Sequence, residues 1–293
     1  KVEHPAVLNV CKYFGKNGYD VTELGVNKDG MLDLDELRDS IKDNTAIVSI
    51  MHANNETGVI FPIEEIGKIV KEKGVIFHCD AVQAIGKIPV NLKNSSIDLL
   101  SMSGHKLHAP KGVGVLFIRK GVRIDPLIIG GHQEDNRRSG TENVPYIIGL
   151  GKACEIAEGF VKEEQREVRR LRDKLEKGIK DQLTHVAISG ENSERLPNTS
   201  NVSFEYVEGE ATLLLLDMAG IATSSGSACT TGSAEPSHVL QAMGIPPVTS
   251  RGTIRFSLSR YSTEDEVDYI LEKLVPIVKR LQTLSPLFDD SQA

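Results

Sequence analysis

The sequence predicts an α/β protein: a mostly parallel sheet domain over residues 1–150, then a smaller α+β domain over residues 151–293. Three observations predict it. Apolar runs of strand length recur in the first half, with amphipathic or capped segments between some of them. Gly74 stands where a helix would end, and a β-branched run opens directly after it at Val75, as a buried parallel strand would. After about Asn143 the texture changes to long helices followed by short strands.

In chain order, strands are expected at 46–51, 75–79, 97–102 and 113–118, with a helix at 63–73 between the first two. The second of these strands points its C-terminal end at Asp80. A helix then runs from about 143 to 157. A charged one follows over 161–180, rich in Glu, Arg and Lys at i,i+4 spacing, and reads as a solvated connector. Beyond it come strands at 186–189 and 200–204, a helix at 208–219, a strand at 253–258 and a terminal helix from Thr263. The tail 285–293 reads as a frayed end, and there is no internal repeat.

Composition excludes several classes of function. Of the 293 residues, 40% are hydrophobic and 26% charged, an ordinary globular balance, and the net charge of -7 shows no basic excess for a nucleic-acid backbone. The longest apolar run, near 213–216, is interrupted by Asp217 and falls far short of the roughly 18 residues that span a bilayer. The first residues, Lys1 to Pro5, contain no apolar signal core. Cys11, Cys79, Cys154 and Cys229 lie far apart without a C-x-x-C pair, so neither a metal knuckle nor a disulfide framework is expected, and a reducing cytoplasmic compartment fits best. Cys11, Cys79 and Cys154 sit in apolar patterns and read as small buried hydrophobes.

The chemistry gathers at strand ends. Ser103-Gly104-His105-Lys106 follows an apolar strand and precedes the turn Pro110-Lys111-Gly112-Val113-Gly114. A lysine held there and partly desolvated forms a Schiff base readily; alone, a loop lysine is ordinarily solvated surface. Asp80, with Gln83 three residues on, suits a pyridinium partner, although by itself it reads more readily as a helix cap. Cys229 lies in a stretch of small polar residues, 223–233, with no apolar anchor until Val239. A cysteine there is poorly explained as core packing and is read as a mobile, exposed nucleophile.

Taken together, Glu3-His4, His52 to Gly58 (H-A-N-N-E-T-G), His78 to Gln83 (H-C-D-A-V-Q), S-G-H-K at 103–106, Arg138 to Thr141 and Ser224 to Cys229 (S-S-G-S-A-C) resemble the ordered landmarks of the NifS/IscS cysteine desulfurases. The resemblance implies the aspartate-aminotransferase-like fold of class V aminotransferases, pyridoxal 5'-phosphate (PLP) as cofactor and a homodimer. The implied reaction converts L-cysteine to L-alanine and leaves sulfur on Cys229 as a persulfide for an acceptor or iron-sulfur scaffold protein. By the same resemblance His4 stacks on the pyridine ring and carries a proton, Asp80 binds the ring nitrogen and Gln83 the phenolic oxygen. Ser103 and His105 take the phosphate, Thr141 reaches the phosphate of the partner subunit, Lys106 is the Schiff-base lysine, and Arg255 with Asn55 receives the substrate carboxylate. Without the family, His4 reads as a cap or an exposed terminus and Arg255 as a strand-edge ion pair; Arg137 and Arg138 could also hold anions.

Members of that family carry a further N-terminal phosphate-binding turn, Gly-Thr/Ala-Glu-x-Asn, before the stacking histidine, and here the sequence opens at Lys1 just ahead of His4. An N-terminal segment is therefore expected to be missing from the large domain. Two other functions use the same residues: a selenocysteine lyase or other PLP β-elimination enzyme, which need not depend on Cys229, and a catalytically silent dimerising or scaffold-binding fragment.

Overall fold

The protein was analysed as a computed structural model that describes residues 1–225, 236–286 and 288. Along the chain the elements are α1 (Pro5–Lys16), α2 (Leu34–Ser40), β1 (Ile47–Met51), α3 (Ile63–Glu72), β2 (Ile76–Asp80), β3 (Leu99–Ser103), β4 (Gly114–Ile118) and α4 (Gln133–Asn136). There follow α5 (Val144–Glu163), a π turn (Glu164–Val168), α6 (Arg169–Gln182), β5 (Val186–Ile188), β6 (Thr199–Phe204), α7 (Gly209–Met218), β7 (Ser224–Ser225), α8 (His238–Ala242), α9 (Pro247–Arg251), β8 (Thr253–Ser257) and α10 (Glu264–Leu284). All of the expected strands form, most of them shifted by one or two residues at an end. No helix among the described residues is long and apolar enough to cross a membrane.

The chain divides into two compact units. The first contains residues 1–40, 53–62 and 162–293, and the second 41–52 and 63–161. This division by compactness differs from one at residue 150, because the first forty residues and the loop at 53–62 group with the C-terminal part. The physical reason lies in long-range pairing: Val59 bridges Arg195, Leu196 N–H donates to the Gly58 carbonyl at 2.8 Å, and Ile60 N–H donates to the Glu194 carbonyl at 2.9 Å. Val59, fully buried, is wedged between two glycines in left-handed conformation. A Cβ on Gly30 would stand 3.2 Å, and one on Gly190 2.4 Å, from a Val59 methyl.

In the second unit the sheet order is β1-β2-β3-β4, with β1, β2 and β3 parallel and β4 antiparallel to β3. Helix α3 carries Glu64 and Glu65 in its first turn and Lys71 in its last, as the helix dipole favours, and Gly74 leaves it at φ 70°. It lies on β2 so closely that a Cβ on Gly67 would come within 2.9 Å of Ser96 and 3.6 Å of Phe77.

The first unit holds an antiparallel sheet, β5-β6-β8-β7. One face is apolar, with Val202, Phe204, Ile254 and Phe256 packed in a core with Leu171, Leu175 and Ile179 of α6 and Val267, Leu274 and Val278 of α10. Charged α6 is thus not the solvated connector its composition suggested. Its apolar positions, Leu171, Leu175 and Ile179, recur at i,i+4 among many charges and form a buried stripe. Burying each is worth roughly 1.5–3 kcal/mol. Cys79 is fully buried as expected, whereas Cys11 and Cys154 are only half-buried; α1 has no buried residue, so Cys11 has no core to enter.

Glu176 and Arg195 form a bidentate pair at 2.7 and 2.8 Å, 8% and 5% exposed. Burial pushes the Glu176 carboxyl up, but the hydrogen bonds and charge of Arg195 outweigh it and hold the group below the usual carboxylate range. Arg195→Ala strands this buried carboxylate and is expected to cost about 3–5 kcal/mol, read from urea denaturation at neutral pH. A change below about 1 kcal/mol would show the pair to be dispensable.

Candidate active site

In the second unit, β2 ends on Asp80 and β3 on Ser103, and Ser103 leads directly into a single 3-10 turn, Gly104–Leu107, that carries His105 and Lys106. Ligands of parallel sheets bind beyond these carboxyl ends. The register sets Asp80 beside Ser101, so Ser103 reaches two residues further out. Asp80 is 9% exposed; its Oδ1 accepts from the Val82 N–H at 3.0 Å and its carbonyl from the His52 N–H at 2.8 Å, which fixes the carboxylate at the strand end. The following turn carries half-buried Gln83 and closes at Gly86. Gly86 has φ 76°, and a Cβ there would lie 2.4 Å from Leu107, the neighbour of Lys106. The Gln83 turn and the Lys106 turn are therefore in direct contact.

Inward of Asp80 on the same sheet face, His78 bonds on both sides. Its Nδ1 is 2.8 Å from Ser49 Oγ on β1, and its Nε2 is 2.9 Å from Ser101 Oγ on β3. Burial lowers the His78 pKa, with the Asp80 charge acting in the opposite direction. His52, just past β1, is lowered by burial to about 4, and its Nδ1 is buried with no hydrogen-bond partner among the described residues. His105 is exposed; partial burial, then the charges of Lys106 and Lys111, hold it below the usual histidine value. Thr141 is exposed in the loop before α5, directly after Gly140, whose N–H bonds Gln133 Oε1 at 3.1 Å.

The donor set of this unit fits PLP: an amine at Lys106, a fixed buried carboxylate at Asp80, and hydroxyl, imidazole and amide groups at Ser103, His105 and Gln83 beyond the same strand ends. Among the described residues no group of His, Cys, Asp and Glu is placed to hold a metal ion.

In the first unit, β8 sets Arg255 opposite Asn201 of β6 and Ser224 of β7. Alternation makes this face of the sheet polar, with Thr199, Asn201, Ser203, Thr253 and Arg255 on it. The Arg255 guanidinium donates through Nη1 to the Asn55 carbonyl at 2.8 Å. That carbonyl is held by its neighbour: Asn54 Oδ1 accepts from the N–H groups of Glu56 and Thr57 at 2.9 and 3.0 Å, an Asx turn in which Asn54, Glu56 and Thr57 are buried. Asn55 meets Arg255 through its backbone carbonyl. His4, also in this unit, caps α1: its Nδ1 accepts from the Ala6 N–H at 3.1 Å, with Pro5 at the first helical position. Cys229 lies outside the described residues.

Ser49, Ser101, Glu56 and Ser237 are polar residues of these arrangements that the sequence reading assigned no role. Period-two alternation gave a signal for two of them, since Ser49 and Ser101 interrupt otherwise apolar strands on the histidine's face.

The sequence matches the family Aminotransferase class-V over residues 1–270. It is 59% identical over 290 residues to a Nostoc sp. protein named cysteine desulfurase, covering 99% of this chain and 72% of that one. To the Azotobacter vinelandii protein named cysteine desulfurase NifS it is 57% identical, covering 97% and 71%. Among solved structures, a NifS-like protein superposes with a TM-score of 0.88 at 43% identity over 95% of this chain and 73% of that chain. A NifS-like protein from Rickettsia africae gives 0.86 at 35% identity over 95% and 74%.

Because His52 titrates in the unfolded chain at its ordinary value of 6.5 and in the folded protein at about 4, the unfolded state binds the extra proton first and stability is lost as pH falls. Between pH 7 and pH 5 this one group should remove about 2 kcal/mol. His52→Gln is expected to flatten the pH dependence of the urea midpoint over that interval by this amount; an unaltered slope would place the titration elsewhere.

Proposed function

The chain belongs to the class-V aminotransferase family, and from that premise we infer that it is a PLP-dependent cysteine desulfurase, converting L-cysteine to L-alanine. The observation that carries this reading is the 59% identity, across 99% of the chain, to a protein of that name. PLP, when bound, supplies an aldehyde carbon for amino groups and a ring that accepts electrons from the substrate Cα.

The residues then divide the work. Lys106 holds the cofactor and, once freed, moves the proton at Cα. Asp80, fixed by Val82 and His52, keeps a proton on the ring nitrogen opposite its carboxylate. Gln83 binds the phenolic oxygen, Ser103 and His105 bind the phosphate, and His4 stacks on the ring and carries a proton near the leaving sulfur. Arg255 receives the substrate carboxylate, held in place by Asn55. The Cys229 thiolate attacks the substrate sulfur: its S–S bond forms as the substrate C–S bond breaks, Cβ gains a proton, and alanine and a Cys229 persulfide result. The sulfur then passes to an acceptor or iron-sulfur scaffold protein. Such a thiol needs a reducing compartment, and the cytoplasm is the proposed location.

We also propose a homodimer in which Thr141 serves the partner subunit's cofactor phosphate. Its support is apolar exposure on both sides of Thr141. Leu127 and Ile129 are 96% and 85% exposed, and Val144 and Ile148 are 55% and 66% exposed. A lone soluble surface seldom carries so much exposed aliphatic area in neighbouring segments.

Two experiments test these readings. With PLP and L-cysteine, Lys106→Ala should lose the visible absorption band and lower alanine formation by at least about 10²-fold. Cys229→Ser should keep the band and lose persulfide and alanine; alanine formed at the parent rate would remove Cys229 as nucleophile and favour β-elimination. Leu127→Asp with Ile129→Asp should shift the mass in light scattering from dimer to monomer and weaken PLP retention, whereas a dimer of unchanged mass would refute that interface.

A further inference from the structure

The turn 54–57 holds two different things at once. Through the Asn55 carbonyl it grips Arg255, and through the next side chain, Glu56, it grips the start of α8. Glu56 is 2% exposed, its N–H fixed by Asn54 Oδ1 at 2.9 Å. Its Oε2 accepts from the Ser237 hydroxyl, whose oxygen in turn accepts the Val239 and Leu240 N–H groups at 3.1 and 3.3 Å and so caps α8. A buried carboxyl is thus locked within the field of the guanidinium to which the substrate carboxylate is assigned. Nothing in the reaction as derived uses it.

We propose that Glu56 is a positioning residue for carboxylate recognition: protonated, it leaves the charge of Arg255 to the ligand; ionised, it competes for that charge and weakens binding. This rests on the desulfurase reading and on Arg255 as the carboxylate site. Two carboxylates cannot both be fully neutralised by one guanidinium, so the coupling is reciprocal: a bound carboxylate also favours the proton on Glu56.

The surroundings set where the exchange occurs. Burial raises the Glu56 carboxyl to about 7, while the Ser237 hydrogen bond and the Arg255 charge pull it down. Arg255 from β8 is the charged group acting on it among the described residues. From α8 it meets the Ser237 hydroxyl, and the adjacent His238 is turned to the Glu3 carbonyl at 3.0 Å. Its neighbours in its own turn, Asn54 and Thr57, are neutral, and Asn54 Oδ1 takes the Glu56 and Thr57 N–H groups. A group poised near neutrality makes ligand affinity fall as the pH rises through 7.

The test uses the PLP-loaded enzyme and L-alanine, a carboxylate that does not itself titrate in this range, with its dissociation constant read from the change in the visible band. In the parent the constant should rise by at least about 5-fold from pH 6 to pH 8.5, and in Glu56→Gln that rise should be absent. Ser237→Ala removes a bond that lowers the Glu56 pKa, so the inflection should move to higher pH. Independently of ligand, the melting temperature of Glu56→Gln relative to the parent should climb from about pH 5 to about pH 7 and then level off, because the folded parent holds a proton there that the unfolded chain has lost. An equal pH dependence of alanine binding in parent and Glu56→Gln, or a flat melting difference, overturns the role of Glu56 alone. A parent that binds no L-alanine and makes none from cysteine overturns the functional reading, and this inference with it.

Discussion

Parallel strands have no turn between them to set their register, and a slip of one residue sends every side chain to the opposite face. In the second unit that register is pinned by one transverse rail, Ser49 to His78 to Ser101, which crosses β1, β2 and β3. A neutral imidazole accepts at one nitrogen and donates at the other, and the hydroxyl on each side in the observed alignment satisfies both. The placement of Asp80 beside Ser101, and hence of Ser103 and Lys106 beyond, follows from that alignment. Burial favours the neutral ring in this rail, so it holds the strands without placing a cation beside the Asp80 carboxylate.

The first unit solves a different problem. Its sheet has a hydrocarbon face against α6 and α10 and a polar face that is almost as deeply buried. Part of that face is paired, Ser203 with Thr253 at 2.7 Å and Arg255 with the Asn55 carbonyl, whereas Asn201 keeps both side-chain polar atoms buried without a hydrogen-bond partner among the described residues. The loop 53–62 supplies a backbone instead of bulky side chains. At Gly58 it approaches so closely that a Cβ would lie 3.1 Å from Thr199. Closeness of this kind lets a main-chain oxygen orient a guanidinium.

Much of this was legible in the sequence where period and punctuation were clear. The strands, the Gly74 stop, the Thr263 start of α10 with its Glu266 capping box, and the position of Lys106 after a strand end all have local causes. What was not legible depends on the partner of a residue rather than on its neighbours. Charges at most positions of α6 concealed a narrow apolar stripe, because only three positions on one face need be aliphatic once a sheet lies against them. Cys11 read as core because its helix has an apolar side, yet none of α1 is buried. Glu56 sat in a motif that drew notice for other residues, and its partner Ser237 is 181 positions away. The grouping of residues 1–40 and 53–62 with 162–293 is of the same kind, a property of long-range pairing that no window of sequence contains.

The wedge of Val59 between Gly30 and Gly190 has an evolutionary consequence. Three positions, distant in sequence, share one small volume, and the two glycines are also held by their left-handed backbone. Substitutions at these sites are therefore not independent: trimming Val59 to alanine would free space beside both glycines but leave their backbone torsions unchanged.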